Sequence, residues 1–246
     1  SGFMSDSRVD GEVDSGTQQQ WITRDSEIGG WKGSNWNMVF AGVNGAPSGA
    51  SWPDPPYTVI GHTSVIREKP FLTIDADGRY SVFVPALSRD SSGISWGSGR
   101  SAGTSIPLDR FYIAKAGDTA EAINAALDQG RHILFTPGIY RLNDTLRITH
   151  PDTVVLGLGL ATLMPENGIV AMSVADVDGV KLAGLLFDAG AVDSPILLEV
   201  GPRGSSTSHA ANPTSLHDLC FRIGGAAIGK SDVSLRITRR DVIGVQ

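Results

Sequence analysis

The sequence predicts a mainly β chain whose short strands stack as the successive coils of a solenoid. Residues 6–11 (DSRVDG) recur as residues 25–30 (DSEIGG), and an L-x-x-L-x-F frame at residues 182–187 recurs at residues 216–221. Asp-x-Val/Ile occurs three times, at Asp152, Asp178 and Asp241. Such short apolar runs between Gly, Asp and Asn turns are typical of strands that pair with their equivalents one coil away, about 4.8 Å along the axis. An alternating β-sandwich is the other interpretation.

The composition supports a folded, turn-rich chain and excludes several classes of partner. Hydrophobic residues make up 41% of the 246 residues and charged residues 19%, while 30 glycines and 13 prolines make long helices unexpected. The 20 basic and 26 acidic residues give a net charge of −6 without a block of like charge. We therefore expect no nucleic-acid or acidic-membrane partner, since each needs a concentrated basic face. No apolar run approaches the roughly 18 residues that a membrane span requires.

Cysteine and histidine usage predicts neither a metal site nor a cofactor. The single cysteine, Cys220, cannot form an internal disulfide, and its neighbours Leu219 and Phe221 favour a small buried side chain there. The five histidines show no spacing that is typical of metal ligands.

One short helix is predicted near the middle of the chain. Residues 118–121 (DTAE) form a capping-box pattern in which Asp118 is the expected N-cap and Glu121 reaches back. Apolar residues then follow at helical spacing, and Gly130 is the expected end of the helix. Strand-like runs continue through residues 132–159.

This succession carries a family resemblance. The capping box, the P-G-x-Y turn at residues 137–140 and the strand VVLGLG at residues 154–159 resemble the opening of the pectate-lyase-like right-handed parallel β-helix. The resemblance covers about residues 111–190 and implies a mainly β fold, a solenoid with one short capping α-helix that plugs its open end and an extended linker. Lyases, glycosidases, epimerases and phage tailspikes share this fold, which therefore does not determine the activity.

The order of the segments resembles a tandem double β-helix, the architecture of family-55-type exo-β-1,3-glucanases. On that basis, residues 1–45 are expected to be coils at the end of a first β-helix, and residues 111–246 the start of a second. Residues 46–110, rich in Pro, Gly and Ser, are the expected linker, with a hairpin at Asp77-Gly78. Because residues 241–243 begin another coil, we expect the chain to stop in mid-fold.

The resemblance implies a secreted, extracellular protein that hydrolyses a β-glucan-like polysaccharide without a cofactor. It places the active site in a groove between the two helices, with key acids on later coils of the second helix, which this sequence is expected to lack. Hydrolysis of a glycoside needs two carboxyl groups, about 5 Å apart for retention and up to almost 10 Å apart for inversion. One or two coil spacings supply these separations. The candidate catalytic residues are Glu199, Asp188 and Asp218; Glu199 interrupts an apolar strand, where alternation favours simple exposure.

Clustered tryptophans are the candidate substrate-binding residues. Trp21, Trp31 and Trp36 lie close together in the sequence, and Gln19 adds an amide that can recognise hydroxyl groups. The alternative is that these rings close a solenoid end or pack under the linker.

Two other functions remain open. A non-catalytic glycan-binding or structural β-helix could assemble with a partner chain, including a second copy, because an exposed solenoid end is an unpaired sheet edge. An esterase-type serine hydrolase is suggested by G-x-S-x-G at residues 99–103, with Ser101 as the nucleophile. That motif needs a buried strand before the serine and a helix after it, and the sequence predicts neither.

Overall fold

A computed structural model describes residues 1–49, 52–99, 101–225 and 227–245. The chain is mainly β, with one α-helix, α1 (Ala120–Asp128), in the described residues, and a 3-10 turn at Leu108–Arg110. In chain order the strands are β1 (Gly2–Ser5), β2 (Arg8–Asp14), β3 (Gln20–Arg24), β4 (Glu27–Lys32), β5 (Asn37–Ala41), β6 (Tyr57–Ile60), β7 (Thr63–Arg67), β8 (Phe71–Ile74), β9 (Tyr80–Pro85), β10 (Leu87–Ser91), β11 (Gly103–Pro107), β12 (Phe111–Ala114), β13 (His132–Phe135), β14 (Ile139–Leu142), β15 (Leu146–Ile148), β16 (Val154–Pro165), β17 (Met172–Val174), β18 (Lys181–Asp188), β19 (Leu198–Val200), β20 (Thr214–Arg222), β21 (Leu235–Ile237) and β22 (Val242–Val245).

The chain divides into two compact units. Unit 1 consists of Ser1–Glu68 and Pro85–Thr104, and unit 2 consists of Lys69–Val84 and Ser105–Gln246.

Unit 1 stacks its strands in parallel. Its larger sheet has the order β1-β3-β5-β6, and β2 pairs in parallel with β4. The ladder aligns Arg8 with Glu27 and Val9 with Ile28, so the 19-residue repeat in the sequence corresponds to the pairing of β2 with β4. Strands β7 and β10 add an antiparallel pair.

Unit 2 contains two parallel sheets. The larger has the order β12-β13-β16-β18-β20-β22, with β14 also paired to β16, and the smaller has the order β15-β17-β19-β21. Between β18 and β20, Leu182 lies opposite Leu216 and Phe187 opposite Phe221, which confirms the L-x-x-L-x-F repeat. These parallel ladders do not fit the alternating, antiparallel sandwich that the sequence left open.

The predicted helix is present, but its cap is displaced by one residue. The side chain of Thr119, not Asp118, accepts a hydrogen bond from Ala122 N and caps the helix. Asp118 accepts instead from the Tyr112 hydroxyl and from Lys115 N, which fixes the turn before the helix. The capping-box prediction was therefore wrong in its register, because Asp118 is engaged in the turn before the helix and the neighbouring threonine is the N-cap. Gly130 follows the helix at φ +72°.

The hairpin expected at Asp77-Gly78 is confirmed. Strands β8 and β9 pair in antiparallel register, Asp75 N donates to Arg79 O, and Gly78 has φ +79°, which suits glycine in a tight turn. Val82 and Val84 of this hairpin pack with buried side chains of the larger sheet of unit 2.

The largest apolar cluster of unit 2 lies between α1 and the two parallel sheets. Side chains from α1 and from both sheets form one buried cluster, whose largest members are aromatic: Tyr140, Phe135 and Phe187. The Tyr140 hydroxyl lies 2.8 Å from Thr136 O and 2.9 Å from Ala114 O, so its polar end is satisfied inside the core.

Candidate functional site

Asp218 lies at an irregularity that neighbouring strands of the larger sheet of unit 2 share. The register between β16 and β18 shifts between Leu156 and Ala161. Gly184 has φ +69° and Asp218 has φ +47°, and the flanking register places them opposite each other. A Cβ on Gly184 would lie 2.5 Å from Gly157 O, so this approach of two strands requires glycine. Such bulges reorient side chains and often lie beside active sites.

Asp218 pairs with a lysine at the surface of unit 2. Lys69 Nζ lies 2.5 Å from Asp218 Oδ2, and the two side chains are 42% and 46% exposed. Aspartate tolerates the left-handed region better than most residues, and among the described residues Asp218 shares it with five other aspartates: Asp6, Asp25, Asp90, Asp152 and Asp241. Of the three predicted carboxylates, Asp218 is the most accessible to solvent.

Asp188 is instead held in a structural pair. Its two carboxylate oxygens accept from Arg222 Nε at 2.9 Å and from Arg222 Nη2 at 2.6 Å, and its side chain is only 9% exposed. This bidentate geometry joins the last residue of β18 to the last residue of β20.

Glu199 lies on the other sheet of unit 2. It points outward from β19 between the buried Leu198 and Val200, as alternation predicts, and Arg236 on β21 donates to it at 2.6 Å. Its side chain is 19% exposed. The structure therefore places Asp188 and Asp218 on one sheet and Glu199 on another, each with its own cationic partner.

The predicted aromatic residues divide into packed and exposed rings. Trp21 and Trp31 lie edge to face, 5.6 Å between ring centroids, and Trp31 packs on Phe40 at 4.9 Å. The side chain of Trp36, by contrast, is 56% exposed, and Gln19 is also exposed. A flat, accessible ring can stack on a sugar face, and Trp36 has that exposure.

Comparison with known protein families shows the family to which this chain belongs. Residues 111–246, more than half of the chain, match the model of the LAM55 pectate lyase-like domain. The chain belongs to this LAM55 pectate lyase-like family.

Relatives of the LAM55 chain come from a streptomycete. The chain is 56% identical over 242 residues to an exo-β-1,3-glucanase of Streptomyces sp. SirexAA-E, covering 98% of this chain and 40% of the relative. The solved structure of sacteLam55A from the same organism matches with a TM-score of 0.95 at 55% identity, over 98% of this chain and 44% of that one. A variant of sacteLam55A in complex with glucose matches with the same values. The chain thus spans less than half the length of these relatives.

The serine-hydrolase hypothesis is wrong for this LAM55 chain. Arg100, within the G-x-S-x-G motif, lies outside the described residues. Ser101 lies 2.8 Å from the Ser95 hydroxyl, and the chain continues into strand Gly103–Pro107 rather than into a helix. The described residues on either side of Ser101 therefore do not form the strand-to-helix turn that presents a nucleophilic serine.

Two other expectations concern Cys220 and membrane spans. Cys220 is exposed, so its predicted burial was wrong. Among the described residues, no helix combines the length and the apolar character that crossing a bilayer requires.

Sequence reasoning missed the buried polar groups of the LAM55 chain. His209 is buried between Asp176 and Asp178, and Arg24 is buried between Asp25 and Glu68. The repeated Asp-x-Val/Ile pattern was the available signal for the first group, because it places Asp178 near the start of a strand. No sequence signal linked Arg24 to Glu68.

Proposed function

We propose that this chain takes part in the hydrolysis of β-1,3-linked glucan, as a secreted, extracellular glycoside hydrolase. The observation that carries the proposal is the 56% identity, over 98% of the chain, to a protein named exo-β-1,3-glucanase.

We further propose that residues 111–246 wind as a right-handed parallel β-helix behind α1. The support is the strand order. Strands of the larger sheet pair in parallel with strands that come later in the chain, and strands of the smaller sheet alternate with them in sequence and pair in the same order. Residues 1–45 would be coils of another β-helix, to which β6, within the 46–110 segment, adds a rung through its pairing with β5.

For the chemistry, we propose Asp218 as a proton-transferring carboxyl group, with Glu199 and Asp188 as the other candidates. The general acid gives its proton to the glycosidic oxygen while the bond from that oxygen to the anomeric carbon breaks. The second carboxylate attacks the anomeric carbon or takes a proton from the attacking water. Accessibility favours Asp218, because the acid must reach the sugar; Asp188 is nearly closed off by Arg222.

Substrate contact is proposed for Trp36 and for Gln19, whose backbone carbonyl accepts a hydrogen bond from Asn37 N, next to Trp36 in the chain. Trp21 and Trp31 would support this surface from beneath, since their indole N–H groups already donate to Thr23 Oγ1 and Gly33 O. The exposed indole ring supplies an apolar face, and the axial C–H groups of a glucose ring can stack on it.

The test is release of reducing sugar from laminarin by the full chain and by its Asp218→Asn, Asp188→Asn and Glu199→Gln variants. Removing a general acid or base should lower the rate by about 100-fold or more. We expect that loss for Asp218→Asn, with the thermal unfolding midpoint close to that of the parent. The matched control is Asp128→Asn, an exposed aspartate at the end of α1.

Parental activity in Asp218→Asn together with loss in Glu199→Gln would transfer the catalytic role to Glu199. Inactivity of the parent chain itself would contradict the hydrolase proposal for this chain.

The alternative function is a non-catalytic glycan-binding module. It is favoured by the cationic partners of all three carboxylates, which suit structural roles. Titration calorimetry with a laminarin oligosaccharide separates the two functions: binding without sugar release, weakened in Trp36→Ala, would support the module.

A further inference from the structure

His209 is buried between two carboxylates of unit 2. Its side chain is 2% exposed, Nδ1 lies 2.6 Å from Asp178 Oδ1, and Nε2 lies 2.8 Å from Asp176 Oδ1. An ionised carboxylate only accepts hydrogen bonds, so both ring nitrogens must carry hydrogen for both contacts to form. The arrangement is therefore complete only with the positively charged ring.

The contacts of His209 join three consecutive connections between strands. Asp176 and Asp178 lie between β17 and β18, His209 lies between β19 and β20, and Asp241 lies between β21 and β22. Asp241 Oδ2 accepts from His209 N at 2.7 Å and from the Ser208 hydroxyl at 3.0 Å. The connection of residues 201–213 is thus attached on both sides.

Other charged groups complete the surroundings of His209. Arg239, whose side chain is buried, donates to Ala175 O and Val177 O, and its Nε lies 3.9 Å from Asp176 Oδ1. Arg240 acts on Asp241 through its charge. Two further polar contacts are made by Asp152. Its carboxylate accepts from Lys181 Nζ and from the side-chain amide of Asn212.

We propose that His209 is a pH-dependent latch, in which the charged ring fastens residues 201–213 to Asp176 and Asp178 and loss of its proton releases that connection. A neutral imidazole has one N–H, so one of the two carboxylates loses its donor. The latch is therefore closed while the ring is charged, and it opens as the pH rises and the ring loses its proton.

Two carboxylates that contact His209, those of Asp176 and Asp241, are stabilised in their charged forms. The hydrogen bond from the His209 ring holds the pKa of Asp176 below its ordinary value, and the bond from His209 N does the same for Asp241. The connection leads directly into β20, the strand that carries Asp218, so the latch fixes the start of that strand.

The experiment is amide hydrogen exchange of residues 202–212 at about pH 5.5 and about pH 8.5, corrected for the intrinsic rates. We expect protection in the parent to fall about tenfold at the higher pH, as loss of a charged hydrogen bond predicts. His209→Gln should show the lower protection at both pH values. The control is His150→Gln, an exposed histidine, which should behave as the parent.

A second variant keeps the test decisive if His209→Gln does not fold. Asp178→Asn retains the shape of the site and removes one charge, and we expect the NMR titration midpoint of the His209 ring to fall. A midpoint equal to that of the parent would overturn the latch. Protection that does not change with pH in the parent, or that changes equally in His209→Gln, would overturn it too.

Discussion

The two units stack parallel strands around interiors of different kinds. In unit 2, α1 and two sheets enclose one large apolar cluster, with Tyr140, Phe135 and Phe187 fully buried. In unit 1, the buried apolar cluster consists of Ile28, Met38 and Phe40, with partly buried side chains around it. Parallel strand pairing occurs in both units, so strand stacking does not depend on one type of core.

Unit 1 also buries a network of charges. Arg24 Nη1 lies 2.8 Å from Asp25 Oδ2 and 2.6 Å from Glu68 Oε1, and the Arg24 and Asp25 side chains are 9% and 6% exposed. Burial by itself disfavours the charged guanidinium, but its bonds to Glu68 and Asp25 outweigh that cost and raise the pKa of Arg24 above its ordinary value. The small apolar cluster is thus supplemented by ionic contacts.

The largest expected effect comes from breaking this network. Arg24→Met should lower the free energy of unfolding of unit 1 by about 3–5 kcal/mol, because Asp25 would stay buried without its counter-charge. Urea unfolding followed by tryptophan fluorescence measures this, since all five tryptophans of the chain lie in unit 1.

The control for Arg24→Met removes the partner charges as well. Adding Asp25→Asn and Glu68→Gln should recover most of the loss, because no buried charge then remains unpaired. A loss below about 1 kcal/mol in Arg24→Met, the range of exposed pairs, would mean that the network is solvated in solution.

Sequence repeats predicted the ladders because a strand that stacks on its equivalent meets the same environment. The 19-residue repeat aligns Val9 with Ile28, and the later repeat aligns Phe187 with Phe221, whose rings stack at 5.3 Å. The ionic networks were not predictable in this way. Glu68 is distant from Arg24 in the sequence and lies on no repeat, so only the tertiary fold brings them together.

Prediction from the sequence also fails where a strand is irregular, as at Cys220 in the candidate site. Regular alternation from the buried Leu216 would place Cys220 on the inner face and Leu219 outside. The left-handed residue Asp218 adds one step to the strand, so Leu219 packs against the core and Cys220 faces outward. A single irregular residue thus reversed a prediction that was sound for a regular strand.

The helix of unit 2 allows a test of intermediate size. Thr119→Ala removes the side chain that caps α1 and should lower the stability of unit 2 by about 1 kcal/mol. Thermal unfolding followed by circular dichroism measures the change. Thr119→Ser retains the hydroxyl acceptor and should stay close to the parent; equal losses in both variants would show that the methyl group, not the cap, matters.

The smallest effect concerns surface carboxylates, for which the two units should behave alike. Bonds from Gly16 N and Lys32 lower the pKa of Asp14 in unit 1, and Arg147 lowers that of Asp144 in unit 2. A carboxyl group with a lowered folded pKa adds stability above its ordinary value of 3.8, and this is lost as the pH falls through the lowered value.

Asp14→Asn and Asp144→Asn should therefore be less stable than the parent near neutral pH and should converge with it in acid. Stability curves against pH at low and at high salt measure the difference, which salt should reduce because both side chains are largely exposed. A difference that persists in acid would show that the aspartates act through shape rather than charge. Equal salt sensitivity in the two units would show that they differ in their interiors and not at their surfaces. Unit 1 buries the ion pairs of Arg24, whereas unit 2 has an aromatic core.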